Sequence, residues 1–511
     1  MKLITTVLAM GLLCLSLQAS TDSKLKQTLQ ANYMVNYKTL PKATDKLSEI
    51  FTEGMVYGRL RAHWFFYDWE STYYYNGEQQ TEDHNILGLG GSLIYKTAPY
   101  AGFSATAGMY YTSAGTGLDN QPSNVKFLKS GKDVISRYDS VNGRGKSYAV
   151  LGQAYLQYEH DHFKARAGRE IFNSFFTRSN DSKMIPNTFE GFTFESKTIE
   201  KTRIRAAYLT RQKLRDHDNF HSVIMYDDRN NTQSGVINAK WNGNDDSAAH
   251  RGLNYSNFEK HNIDKNPALI LIDGYTRAVL DEKLKISASA LYLKDLFYTA
   301  MVELNYKFDL GNGYSLSPGF RYVQQFDDGA GEIGGASLSG AAAKSTASST
   351  IEVHTNIRDA YTNPDSVDAK MYAARLVLNK DAASLSLGYT KIADEADFIT
   401  PWRGFITAGY TRAMAQYNWF ANTETWRLRG TYNFSKANLV KGLRTYASFT
   451  RENYDTQKVA SLANITNVYY FGLIQDINQE TSVRFRSEYV DERKATLPDH
   501  GEIRLELNYL F

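Results

Sequence analysis

From Met55 to the end of the chain, apolar and polar side chains alternate in short runs. Val302, Leu304, Tyr306 and Phe308 alternate with Met301, Glu303, Asn305 and Lys307. Trp426, Leu428, Tyr432 and Phe434 alternate with Arg427, Arg429, Thr431 and Asn433. Val483, Phe485 and Tyr489 flank Arg484, Arg486 and Glu488. The final run is the most regular: Ile503, Leu505, Leu507, Tyr509 and Phe511 share one face, and Glu502, Arg504, Glu506 and Asn508 the other. Successive side chains of a strand point to opposite faces, so a repeat of two predicts strands with one apolar face each.

A soluble sandwich would turn that face inward. Two features favour a membrane instead. The runs reach about ten residues, the length a tilted strand needs to cross a bilayer. Aromatic residues crowd their ends, as in Trp64-Phe65-Phe66-Tyr67, Tyr73-Tyr74-Tyr75, Tyr110-Tyr111 and Tyr469-Tyr470-Phe471, where interfacial girdles belong. The connections also alternate in length. Short ones are expected near 96–101, 160–163, 196–202, 280–284, 309–314, 379–383, 434–442 and 475–480, and long ones at 113–146, 213–267, 327–368 and 394–422. Outer-membrane barrels have short periplasmic turns and long external loops. A candidate strand at 233–243 has polar stretches on both sides and is read as a hairpin within an external loop. The fold expected over 55–511 is all-β: a transmembrane antiparallel β-barrel of about 18 strands, with both termini in the periplasm.

Such a barrel must pair its last strand with its first, near 55–67, because an open edge in lipid leaves backbone groups unsatisfied. Residues 1–19 read as a signal peptide: Lys2 is the basic start, Leu3 to Leu17 are mostly apolar, and cleavage is expected after Ala19. The single cysteine, Cys14, lies inside this segment and follows Leu13, not the small residue that lipidation needs. The mature chain is then expected to lack disulfides and thiolate metal sites. Residues 20–54 show weak helical character at Lys24 to Leu29 and Asp45 to Phe51, and read as an N-terminal periplasmic or lumenal segment. The Gly-, Ala- and Ser-rich stretch 329–349 reads as a mobile loop.

Composition removes alternatives. Mean hydropathy is -0.46, and no apolar run of about 18 residues follows residue 19, so no transmembrane helix is available. A barrel tolerates this because only alternate residues meet lipid. With 58 Lys+Arg against 55 Asp+Glu, bulk charge points to no nucleic-acid partner. No repeat of about 20–50 residues suggests a propeller or solenoid. Most of the 10 His lie in expected loops or turns, without a nucleophile motif. His160 and His162 are too few for a metal site, and the acidic stretch Asn242 to Asp246 reads as a solvated turn. Catalytic residues, metals and cofactors are therefore not expected. A TonB-dependent receptor would need a long plug and about 22 strands.

If the apolar faces meet lipid, Arg59, Arg61, Arg203, Arg205, Arg321, Arg375, Arg427, Arg429, Arg484, Arg486 and Arg504 face the lumen. A charge on the lipid face near the midplane would cost roughly 2–4 kcal/mol. Arginine stays charged and grips carboxylates through its planar fork. The alternative role is bracing, with these arginines paired to Glu303, Glu488, Glu502 and Glu506.

Four blocks resemble the OprD-type (Opr) family of outer-membrane porins. They are Ala101-Gly102-Phe103-Ser104; Gln153 to Tyr158 with Arg166 to Arg169; Asn180 to Gly191; and Pro401 to Phe405 followed by Thr407 to Met414. Residues 20–54 and 213–267 carry little of the likeness. The resemblance implies an 18-stranded barrel, a lumenal arginine ladder with an acidic region at the constriction, and two external loops folded inward, here 170–187 and 394–422. On those loops Asp181, Ser182, Lys183, Asp397 and Arg403 are the candidate constriction, where opposed charges would orient a dipolar solute. Asp181 as a loop cap and Arg403 as a clamp of its own loop are the structural alternatives.

The expected function is a passive, water-filled channel for small polar or charged solutes such as amino acids, carboxylates and ions. A closed structural or adhesive barrel and a barrel enzyme are the alternatives. Expected partners are outer-membrane lipid and lipopolysaccharide, small charged solutes, and the assembly machinery, for which Phe511 resembles the terminal signal. A homotrimer is left open, and no nucleic acid is expected.

Overall fold

Each alternating run becomes a strand hydrogen-bonded to the next in sequence. The computed structural model describes residues 26–511 except 31–32, 76–77, 80, 117–144, 180–183, 216, 224–249, 345–356, 400–409, 413, 415–418, 460–462 and 494–497. The strands are β1 (Met55–Trp69), β2 (His84–Lys96), β3 (Phe103–Thr116), β4 (Ser147–His160), β5 (Phe163–Glu170) and β6 (Thr188–Ser196). They continue as β7 (Thr202–Lys213), β8 (Leu269–Val279), β9 (Leu284–Leu293), β10 (Phe297–Tyr306, resumed at Phe308–Gly311), β11 (Tyr314–Asp327) and β12 (Ala369–Lys380). The last are β13 (Ala383–Ile392), β14 (Glu424–Asn433), β15 (Leu443–Asn453), β16 (Ile465–Asp476), β17 (Thr481–Asp491) and β18 (His500–Leu510). All pairings are antiparallel, and β18 pairs with β1 from His500↔Trp69 to Leu510↔Arg59, closing an 18-stranded barrel. Closure removes the sheet edges that lipid could not satisfy.

The alternation sorts side chains as expected. Val56, Leu60, Leu93, Ile272, Val302, Phe320, Leu376, Leu428 and Leu507 are exposed on the outer wall. Aromatic pairs line both rims. Tyr298–Phe326, Tyr389–Trp426 and Phe449–Tyr469 lie at the long-loop end, with centroids 4.5, 4.4 and 5.3 Å apart. Phe103–Tyr158 and Tyr432–Phe434 lie at the short-turn end, both at 4.7 Å. Offset and edge-on pairs of this kind suit the lipid–water boundary. Within Trp64-Phe65-Phe66-Tyr67 the pleat divides the cluster: Trp64 stacks on Phe66 outside, while Phe65 and Tyr67 are buried inside.

The longest connections lie at the end opposite the termini, although β9 and β10 are joined there by 294–296 alone and β17 and β18 by 492–499. The signal segment 1–19, the hairpin at 233–243 and the turn Asn242 to Asp246 lie outside the described residues.

The inner wall is not uniformly polar. Leu209, Leu269, Leu271, Leu291, Leu293, Met301, Val323 and Met371 point inward toward the long-loop end of β7 to β12 and are buried. They receive Phe172, Phe176, Leu253, Phe258, Ile333, Val367, Phe398 and Trp419 from the loops, forming a core inside the barrel. The glycine- and alanine-rich stretch corrects its sequence reading over its described part. Ala330, Ile333, Ala336, Ala342 and Ala343 are buried. A Cβ at Gly334 would meet His250 Cε1 at 2.8 Å, and one at Gly335 would meet the Ala342 carbonyl carbon at 2.4 Å. The small residues allow backbone to pack on backbone, so this is a core segment and not a mobile loop.

Candidate functional site

Loop 171–187, between β5 and β6, runs through the lumen. Near β11 the Arg321 guanidinium lies 4.6 Å from the Phe175 ring centroid. Near β7, Arg205 lies 5.0 Å from the ring of Phe172. The loop then reaches β1, where Arg61 Nη1 donates to the Met184 carbonyl at 3.3 Å. Lys213 Nζ donates to the Pro186 carbonyl at 3.0 Å. β1 and β11 lie on nearly opposite walls of the ring, so the described parts of the loop, 171–179 and 184–187, hold to both walls. Its ends hold because apolar side chains at 172–176 and 184–185 find buried pockets among inward residues of β7 to β11 and β1 to β4.

Loop 393–423 enters from β13. The ring of Tyr410 lies beneath two guanidinium groups, Arg321 at 4.2 Å and Arg375 at 4.6 Å. Burial pushes the Tyr410 phenol up to about 12, so it stays neutral between these cations. Thr411 shares a hydrogen bond with Thr390 at 2.9 Å. Arg427 Nη1 donates to the Arg412 carbonyl, and Met414 N donates to Glu488 Oε2 at 2.8 Å. Its described residues 410–412 and 414 thus lie along the inner wall from β13 toward β17.

The arginines named from the alternation all lie on the inner face, in two groups. Arg59 and Arg61 pair with Glu506, Arg205 with Asp273, Arg321 with Glu303, and Arg504 with Glu502. Arg321 Nε meets Glu303 at 2.7 Å, and Arg205 Nε meets Asp273 at 2.8 Å. Arg203, Arg375, Arg427, Arg429, Arg484 and Arg486 have no ion-pair carboxylate among the described residues. Four of them rest on an aromatic face or a neutral group: Arg203 over Tyr275 at 4.9 Å, Arg429 over Tyr446 at 4.7 Å, Arg484 over Tyr33 at 4.3 Å, and Arg375 on Asn305 Oδ1 at 2.6 Å. A guanidinium on an aromatic face keeps its charge and many of its N–H donors.

Of the candidate constriction residues, Asp181, Ser182, Lys183 and Arg403 lie outside the described residues. Asp397 is buried among the loops. Its Oδ2 accepts from Leu338 N and its Oδ1 from Ala421 N, both at 2.8 Å, and Tyr361 Oη lies 3.4 Å from Oδ1. Desolvation raises its carboxyl to about 6. The residue joins the loop 328–368 to the loop 393–423. Sequence reasoning missed Arg178 and Tyr410. Arg178 is exposed, yet enclosure and the nearby charge of Arg321 push its guanidinium down. No alternation marks a loop residue, so the only available signal was membership of loops expected to turn inward. His160 and His162 are exposed at the turn after β4.

No family model matches the sequence, nor does any curated protein. Solved structures match along nearly the whole chain. OccAB2 of Acinetobacter baumannii is 16% identical with a TM-score of 0.65, covering 91% of this chain and 99% of that one. The outer membrane protein OpdK of Pseudomonas aeruginosa is 12% identical with a TM-score of 0.62, covering 90% and 99%. OpdK with vanillate is 13% identical with a TM-score of 0.61 and the same coverage. The shared fold is the closed 18-stranded barrel of the OprD/Occ outer-membrane porins.

Proposed function

We propose that this protein is an outer-membrane porin, a passive water-filled channel for small charged solutes with carboxylates foremost. The carrying observation is the set of inward arginines that hold no carboxylate, Arg203, Arg375, Arg427, Arg429, Arg484 and Arg486, on the inner wall of a closed barrel. Cations without a fixed anion attract a mobile one and return it to the next site, which permits passage without tight capture. Their planar donors match a carboxylate. OpdK has been solved with vanillate, a carboxylate, which supports this solute class.

In this reading loops 171–187 and 393–423 make the narrow zone. Asp181, Ser182, Lys183 and Arg403 face the solute together with Arg178, and the buried Tyr410 backs them beneath Arg321 and Arg375. Asp397 acts on the constriction by holding the loop that carries it. Phe511 is the assembly signal, and the partners are lipid, lipopolysaccharide and solute. The role is transport and not catalysis.

Liposome swelling tests the solute class. Proteoliposomes should swell faster in benzoate or succinate than in arginine or in a neutral sugar of similar size. Equal rates for all three would remove the carboxylate preference, and no swelling with any solute would remove the channel.

A further inference from the structure

Residues 26–54 do not lie apart from the barrel. Gln27–Leu29 and Val35–Tyr37 pair as a short antiparallel hairpin seated in the short-turn mouth. Such short strands are not stable alone and need a surface to hold them. That surface is the seam where the barrel closes. Gln27 Nε2 donates to the Gly58 carbonyl at 2.6 Å and to the Phe511 carbonyl at 3.2 Å, gripping the first and last strands together. The Tyr37 ring packs edge-on against Tyr57 at 4.6 Å, and the Lys96 ammonium lies 4.5 Å from its centroid. The Tyr57 hydroxyl donates to the Thr39 carbonyl at 2.6 Å.

Between the two short strands, Tyr33 reaches into the lumen. It is buried and adopts a left-handed backbone, with φ at 65°. Side-chain-bearing residues adopt that conformation only when their surroundings hold it. Its ring lies 4.3 Å from the Arg484 guanidinium of β17. Its carbonyl accepts from Arg59 Nη1 of β1 at 3.2 Å. The hairpin therefore covers two inward arginines, one of which, Arg484, has no carboxylate of its own.

We propose that this hairpin is a built-in plug at the periplasmic end of the arginine row. It narrows the mouth and occupies Arg484 and Arg59 with an aromatic face and a carbonyl oxygen. A carboxylate solute reaching that end competes with Tyr33 for Arg484. The hairpin thereby sets both the unitary conductance and the anion preference of that mouth. This inference rests on the porin reading.

The test compares three forms of the mature protein in planar bilayers of phosphatidylcholine, with a potassium chloride gradient. These are the natural chain, a form lacking residues 26–37, and Tyr33→Ala, which keeps Gln27 on the seam if the deletion fails to assemble. The deletion should raise the unitary conductance. Tyr33→Ala should shift the reversal potential toward chloride, and Tyr33→Phe should behave like the natural chain because it keeps the ring. A natural chain that conducts, with Tyr33→Ala and any assembled deletion unchanged in both readouts, overturns the plug and leaves the porin reading standing. A silent natural chain with a conducting deletion supports a plug that closes the pore. Silence in every folded form overturns both.

Discussion

The ring of Phe511 lies on Gly58. A Cβ at Gly58 would meet its Cζ, Cε2 and Cε1 at 2.0, 2.2 and 2.4 Å. The two residues also exchange backbone hydrogen bonds, Gly58 N to Phe511 O at 2.9 Å and Phe511 N to Gly58 O at 3.1 Å. Phe511 thus completes the seam, with its ring in the space that a side chain at position 58 would take.

Gly58→Leu should therefore displace the Phe511 ring and lose the terminal pair. Overpacking of this kind costs on the order of 1–3 kcal/mol. The expected result is a lower heat-modifiable fraction after refolding, read by electrophoresis of unheated samples. If Phe511 acts as the proposed assembly signal, Phe511→Ala lowers assembly in cells more than refolding from urea.

Removing an arginine that holds a carboxylate should differ from removing one that holds none. Arg321→Gln strands the Glu303 carboxylate, and breaking a buried pair costs on the order of 3–5 kcal/mol. It should lower the unfolding midpoint in urea. Arg429→Gln and Arg484→Gln strand no carboxylate. They should leave that midpoint nearly unchanged and shift the reversal potential away from anions.

The alternation made the wall legible. It assigned lipid-facing and lumenal sides at Val302/Glu303, Leu428/Arg429 and Leu505/Glu506, because a pleated strand leaves no other choice. It also implied the closure of β18 on β1. What fills the lumen was not legible. Leu269-Ile270-Leu271-Ile272 is apolar on both faces, since Ile270 and Ile272 are exposed on the outer wall while Leu269 and Leu271 meet loop side chains. A period of two says nothing about which loop covers an inner face. Tyr33, Arg178 and Tyr410 gain their places only once the ring is closed, so no local pattern could mark them. The glycines at 334 and 335 misled for the same reason, because close backbone packing and mobility call for the same small residues.

Tyr410→Ala should widen the narrow zone. The ring lies 4.2 Å from the Arg321 guanidinium and 4.6 Å from that of Arg375, and its removal uncovers one face of each. Unitary conductance should rise and anion preference should strengthen. Tyr410→Phe should change neither, since the ring and not the hydroxyl makes both contacts.

Asp397 gives the loops a pH dependence. Burial raises its carboxyl from 3.8 to about 6, opposed by the N–H groups of Ala421 and Leu338. A value raised in the docked state means that its contribution to docking is full below 3.8 and is lost as pH rises through about 6. Open-channel current noise should grow as pH rises across that window. Asp397→Asn should flatten the dependence. Noise that grows on acidification instead would contradict the assignment.

Single-channel recording of the refolded mature protein in a planar bilayer, with reversal potentials in a salt gradient, tests the central claim most directly. Discrete steps with a reversal potential on the anion side are the expected result. A well-folded, heat-modifiable barrel that passes no current, with residues 26–37 present or removed, would contradict the account.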